Sequence, residues 1–291
     1  MKLTLLQVPY HYNFARARVG AGLGPVRYVE AQADARLRQL GFEVALQTIE
    51  RAGKSEDVPA AVVEGNTALA AEVARAVASD SFPLVLCGSC SACLGVLAGL
   101  SAPVGIIWFD AHGDYNTPET TPSGFFDGMP LAVANGLCYQ ELHGRISSSP
   151  PVPPAHTLLV GVRDLDPGER DNLARAEVLL VTGAEIRALG ARAALEPKLK
   201  TLRARTGEIY LHFDIDVLDP EFAPGVDYPS SNGLRLSDAE EAIGLIAELF
   251  RVRAASLTAY NPDREANNRT LQTGLHLLTV IGAAASPSRR H

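Results

Sequence analysis

Few cysteines and no long apolar run narrow the setting of this chain before any motif is read. Four cysteines (Cys87, Cys90, Cys93 and Cys138) in 291 residues do not make the disulfide framework of a small secreted domain. No apolar run is long enough to span a bilayer. The short run at residues 1–6 lacks the length and cleavage site of a secretory signal. It reads as a first strand, and a cytoplasmic setting is expected. Positive charge is in deficit: the formal net charge is −7, so neither nucleic acid nor a membrane surface is a favoured partner. No internal repeat and no dinucleotide-binding glycine fingerprint is found. What is present, 47% hydrophobic and 20% charged residues, suffices for a large core and argues against disorder.

Two stretches carry the chemistry. The apolar run from Gly105 to Phe109 has the pattern of a strand buried on both faces. It breaks into Asp110, His112 and Asp114, which alternate, so an extended backbone would aim all three side chains the same way. Two carboxylates and an imidazole at a strand end outline a divalent-metal site; a solvated strand end is the plainer alternative. The second stretch, from Glu208 to Pro220, repeats the logic. Asp214 and Asp216 share one face of its end, and Asp219-Pro220 reads as a turn. Buried carboxylates are costly unless paired or metal-bound, so two strands ending in such pairs favour the metal reading.

Elsewhere, amphipathic spacing predicts helices over 26–50, 58–80 and 186–202, and a final core helix carrying Leu271, Leu275, Leu278 and Ile281. Residues from about 285 are expected to form a disordered tail. Cys87-X-X-Cys90-X-X-Cys93 suits either a zinc or redox motif or ordinary strand-to-helix packing. Cys90 is the candidate ligand, and Cys87 and Cys93 read as buried structural residues. Strands alternating with helices predict an α/β fold: one three-layer domain over 1–291, its mostly parallel sheet flanked by helices on both faces.

Together these motifs resemble the ureohydrolase (arginase/agmatinase) family over nearly the whole chain. Asp110 to Asp114 match the family's Asp-Ala-His-X-Asp motif. His212 to Pro220 match its Ser-Phe-Asp-X-Asp-X-Leu-Asp-Pro motif, with His212 in place of the Ser. Gly22 to Pro25 resemble its opening Gly-Pro segment. The resemblance implies Mn²⁺, one or two ions, held by Asp110, His112, Asp114, Asp214 and Asp216, with Asp110 and Asp214 bridging. Where the family has Gly-Gly-Asp-His-Ser, this chain has Ser89 for the Asp and Cys90 for the ligating His, so one site is intact and the other altered. The same Cys makes the chain similar to Nω-hydroxyarginine hydrolases of antibiotic pathways.

The implied activity is hydrolysis of a linear guanidino or amidino C–N bond by metal-activated hydroxide, on arginine or a modified arginine such as Nω-hydroxyarginine. A formiminoglutamate-type amidine is the same-class rival, and a non-catalytic binding or oligomeric partner is the competing class. Asn116, Ser123 and Asp166 match positions that bind an α-amino acid. Asp127 lies where arginases carry a proton-transferring His, and is a candidate acid or shuttle, or else a surface or turn residue. Ala259 replaces the Glu that pairs with guanidinium, and Glu265 is the nearby candidate replacement. Tyr228 replaces a Thr near the substrate. By the same resemblance the partner is a small guanidino or amidino compound, and the chain forms a homo-oligomer, trimer or hexamer.

Overall fold

The computed structural model describes residues 1–51, 53, 55–100 and 103–285. Eight strands form one sheet: β1 (Lys2–Val8), β2 (Glu43–Thr48), β3 (Ser81–Cys87), β4 (Gly105–Phe109), β5 (Thr157–Val162), β6 (Leu179–Thr182), β7 (Glu208–Asp214) and β8 (Arg251–Thr258). Their order is β2-β1-β3-β8-β7-β4-β5-β6, and every pair is parallel. Parallel strands need crossover connections, and the helices between them cover the two faces.

The pleat sorts the core into two layers. Leu3, Leu5, Leu84, Leu86, Ile107, Phe109, Leu211 and Phe213 face one side, against Tyr28, Leu37, Leu195, Ile243 and Leu275. Leu6, Val8, Val85, Ile106, Trp108 and Tyr210 face the other, against Val62, Leu69, Leu94 and Leu131. Period-two alternation along each strand thus builds the three layers. The strand order places β3, β8, β7 and β4 side by side at the centre, so the carboxyl ends of four adjacent strands open onto common ground. In open α/β sheets that end of the strands is where ligands bind.

Two helix expectations need correction. Residues 26–50 form helices Leu23–Glu30 and Ala33–Gln39, and then the strand Glu43–Thr48. Gly41, at φ +89°, ends the helical run. The strand lies at the sheet edge and is mostly exposed, so its residues show little apolar alternation. Residues 186–202 fall in two helices, Gly183–Leu189 and Ala191–Arg203, broken at Gly190 with φ +85°. The other long predictions match: Val58–Ala78 and Arg269–Ala285 are helical, and Leu271, Leu275, Leu278 and Ile281 are buried. The predicted tail, residues 286–291, lies outside the described residues.

One glycine supports the site from below. Gly161 in β5 has φ +92°, and a Cβ there would lie 2.3 Å from Val217 Cγ2 and 3.1 Å from Leu234 Cδ1. The β5–β6 register shifts at this point. Gly161→Ala therefore meets both a left-handed backbone and an overpacked core. It is expected to lower stability by about 2 kcal/mol or more, measured as a lower urea midpoint at unchanged m-value.

Candidate metal and substrate site

Beyond the carboxyl ends of the central strands lies a cavity of about 330 Å³, within the range of small-molecule sites. The ten candidate residues read from the sequence all line it: Cys90, Asp110, His112, Asp114, Asn116, Ser123, Asp127, Asp166, Asp214 and Asp216. Among its lining residues are nine carboxylates and no lysine or arginine.

The side chains converge by a different route from the extended backbone expected at residues 110–114. β4 stops at Phe109, and Asp114 adopts a left-handed φ of +48°. That turn buries the Asp114 side chain at the cavity floor. Its backbone carbonyl accepts from Leu131 and Ala132 N–H, both at 3.1 Å, and so ties helix Pro130–Ala134 to the floor. Asp110 Oδ1 accepts from His112 N–H at 2.7 Å and Oδ2 from the indole of Trp108 at 3.0 Å. In the second motif β7 stops at Asp214, whose Oδ1 accepts from Asp216 N–H at 2.9 Å. Asp216 Oδ1 accepts from Ala111 N–H at 3.1 Å, which joins the two motifs. Asp219 serves the turn as expected, accepting from Glu221 and Gly233 N–H.

Among the described residues two groups of donor atoms form, each with all its members within 4.8 Å of one another. One is Asp110, His112 and Asp216; the other is Cys90, Asp110, His212 and Asp214. His112 Nδ1 lies 3.3 Å from Asp110 and 3.1 Å from Asp216. Cys90 Sγ lies 3.0 Å from Asp214 Oδ2, with Thr258 Oγ1 at 3.6 Å.

Electrostatics describe the same need. Burial, then repulsion from Asp216, pushes Asp110 up to about 6. Burial and neighbouring carboxylates raise Asp114 and Asp214 well above the usual range. Burial also opposes ionisation of Asp216, but His112 and local hydrogen bonds hold its carboxyl below the ordinary value. Burial holds the His212 imidazole well below its usual value, so His112 alone faces four buried carboxylates, and Asp114 Oδ2 is buried without a partner. The donor set, all carboxylate, imidazole and thiol, fits divalent cations.

Asp127 is neither a surface nor a turn residue. It is buried, and its Oδ1 accepts from Ser89 Oγ at 2.8 Å and Ser91 N–H at 3.2 Å. Burial pushes its carboxyl up to about 6 against those donors. Asn116 donates from Nδ2 to Asp166 Oδ2 at 2.9 Å, and Ser123 is exposed at the mouth. Glu265 does not replace the carboxylate missing at Ala259. It caps helix Arg269–Ala285 through Thr270 and Leu271 N–H and lies off the cavity wall. Cys87 and Cys93 are buried, and among the described residues no candidate ligand cluster includes them.

The sequence reading assigns no role to His212, Asp227, Glu169, Tyr12 or Phe125. Burial pushes Glu169 up to about 7, while it accepts from the N–H groups of Tyr115 and Asp166. Asp227 gathers Tyr12 Oη, Asn261 Nδ2 and Arg264 Nε. Tyr12, Phe125 and Tyr228 pack edge-on and tilted into an aromatic rim with centroids 5.1–6.1 Å apart. The signal for His212 was in plain sight: a polar residue two before Asp214 in a buried strand shares its face.

The fold and this cavity define an α/β protein with a carboxylate-rich candidate metal centre. A sequence model described as the arginase family matches residues 1–282. An arginase of Bacillus caldovelox is 34% identical over 289 residues, covering 95% of this chain and 96% of that protein. One from Bacillus subtilis strain 168 is 33% identical, covering 97% and 98%. The crystal structure of an arginase from Bacillus cereus superposes with a TM-score of 0.88 at 30% identity, covering 97% of this chain and 98% of that one. The chain belongs to the arginase family.

Arg163 secures the second motif. Its guanidinium donates to six backbone carbonyls, those of Gly161, Asp216, Val217, Leu218, Ser230 and Ser231. Arg163→Ala orphans several of these acceptors and is expected to cost about 3 kcal/mol, read from urea unfolding of the metal-free chain. Arg163→Lys, lacking the fork, is expected to recover less than half of the loss.

Proposed function

We propose that the chain is a metal-dependent amidinohydrolase acting on arginine or an Nω-modified arginine such as Nω-hydroxyarginine. The observation that carries the reading is the meeting of Asp110, His112, Asp214 and Asp216 in a cavity with nine carboxylates and no basic side chain but His112. Such a cavity suits metal cations together with a cationic substrate. Asp110, His112, Asp114, Asp214, Asp216 and Cys90 would hold one or two Mn²⁺. A bound divalent ion supplies Lewis acidity and lowers the pKa of water to near neutrality.

The other residues act on substrate and proton. Asn116 and Ser123 offer an amide and a hydroxyl at the mouth to an α-carboxylate, and Asp166 offers its charge to an α-ammonium. The Asn116–Asp166 hydrogen bond fixes these groups relative to one another. Asp127 sits where a proton can pass to the leaving amine, and Ser89 and Ser91 orient it. Ala259 leaves the guanidinium without a carboxylate partner, which lowers the affinity for plain guanidinium. N-hydroxylation makes a guanidine less basic, so a hydroxylated substrate loses less by that absence. A formiminoglutamate substrate would bring two carboxylates into an anionic cavity, which disfavours that rival. Family membership supports a homo-oligomer, trimer or hexamer, and a cytoplasmic setting. No described helix is long and apolar enough to cross a membrane.

The test is release of urea from arginine and of hydroxyurea from Nω-hydroxyarginine by metal-loaded protein. Turnover of at least one is expected. Silence on both, in a sample carrying its full metal complement, rejects the reading in favour of a non-catalytic partner. Asp214→Asn is expected to cost at least about a hundredfold in kcat/KM. Asp127→Asn should lower kcat about a hundredfold with little change in KM. Because the Asp127 carboxyl is raised to about 6, it is a proton donor below that pH and an acceptor above it. The step near pH 6 in the kcat profile should therefore shrink or shift in this variant, and an unchanged kcat with an unchanged profile removes its proton-transfer role.

A further inference from the structure

Two of the points at which this chain departs from the family's motifs, Cys90 and His212, meet in space. They come from different strands, Cys90 just beyond β3 and His212 within β7. The sulfur of one and a ring nitrogen of the other lie within 4.8 Å of each other and of carboxylate oxygens of Asp110 and Asp214. Resting on the amidinohydrolase reading, we infer that His212 Nε2 and Cys90 Sγ together ligate one divalent cation with Asp110 and Asp214. This second site is softer than the Asp110–His112–Asp216 site beside it.

The surroundings of His212 hold it as a ligand is held. The ring is fully buried and stacks on Trp108, with centroids 3.5 Å apart and planes 8° from parallel. Trp108 in turn donates its indole N–H to Asp110, so the stack and the carboxylate are positioned together. Nδ1 faces the hydroxyls of Tyr210 at 3.0 Å and Ser256 at 3.1 Å. Metal-ligating histidines use their second nitrogen in this way: with a hydroxyl as acceptor, Nδ1 carries the proton and Nε2 keeps its lone pair. Nε2 is left buried with no hydrogen-bond partner. A buried ring nitrogen without a partner calls for an occupant, and this one lies in the donor group of Cys90, Asp110 and Asp214.

The donor set has consequences for the ion. One thiolate, one imidazole and carboxylate oxygens suit Zn²⁺, Co²⁺ or Fe²⁺ better than Mn²⁺, which prefers oxygen and imidazole. The neighbouring site, with His112 and two carboxylates, carries no sulfur. Asp110 belongs to both groups, so the two sites would share a carboxylate while differing in softness.

The experiment titrates the metal-free, full-length chain with Co²⁺ and, separately, with Mn²⁺. Stoichiometry is read by equilibrium dialysis and sulfur ligation by the thiolate-to-cobalt charge-transfer absorption. Two Co²⁺ per chain and a charge-transfer band are expected, the band vanishing in Cys90→Ser. His212→Ser should weaken the sulfur-ligated ion by about ten- to a hundredfold or more, leaving the other bound. The double variant C90H/H212S, which returns the imidazole to position 90, should bind both ions without the band and with higher Mn²⁺ affinity. A measurement on the unaltered chain guards against a variant that misfolds. The Co²⁺-loaded protein should show two paramagnetically shifted imidazole N–H resonances, from His112 and His212. A single shifted resonance, or a His212→Ser chain whose band and affinity are unchanged, overturns the assignment. Urea and hydroxyurea release, assayed independently, reports on the enzymatic reading. Its absence beside an intact two-ion titration would reject that reading and leave the ligand assignment standing.

Discussion

Mutual repulsion among buried carboxylates is the constraint on which the rest of this structure depends. Asp110, Asp114, Asp214 and Asp216 crowd against one another at the ends of β4 and β7, where water is scarce. Such a cluster costs stability unless cations accompany it. The sheet order answers by supplying rigid ground. Placing β3, β8, β7 and β4 side by side lets two distant segments present their acids to a shared volume. Apolar layers on both faces then hold the strands in register.

Backbone donors do much of the remaining work. Ala111, His112 and Asp216 each give a main-chain N–H to a neighbouring acid. These bonds orient one oxygen of each acid through the chain's own geometry, while side chains such as the Trp108 indole and the Thr258 hydroxyl hold others. Around the floor, the aromatic rim of Tyr12, Phe125 and Tyr228 bounds the entrance. Asp227 ties one of those rings to Asn261 and Arg264. The cavity is therefore anionic at its base and aromatic at its lip.

Much of this was legible in the chain itself, and the reason is local. Asp110, His112, Asp214 and Asp216 sit directly after apolar runs, so strand end and candidate ligand come in one short pattern. The layered α/β fold followed from alternating strands and helices in the same way. What escaped depends on relations that periodicity does not encode. The edge strand Glu43–Thr48 buries too little to show alternation. Asp114 reaches the floor through a left-handed turn, which no apolar pattern announces. Asp127 lies in a segment that reads as a turn until Ser89 and Ser91 are placed against it. His212 stood out only as an exchanged residue in a motif, because its stacking on Trp108 joins two strands. Glu265, close to Ala259 in sequence, was drawn instead to the start of the last helix.

Arg163 grips six main-chain oxygens and no side chain of the loop it restrains. A clamp that holds only the polypeptide track is blind to what the track carries. Side chains from Asp216 to Ser231 that touch neither floor nor core can therefore be exchanged without slackening the hold. Tyr228, half out in solvent at the lip, meets the floor only at the His112 ring, edge to face with centroids 6.4 Å apart. The architecture separates a floor clamped through its backbone from an entrance whose side chains the clamp does not read.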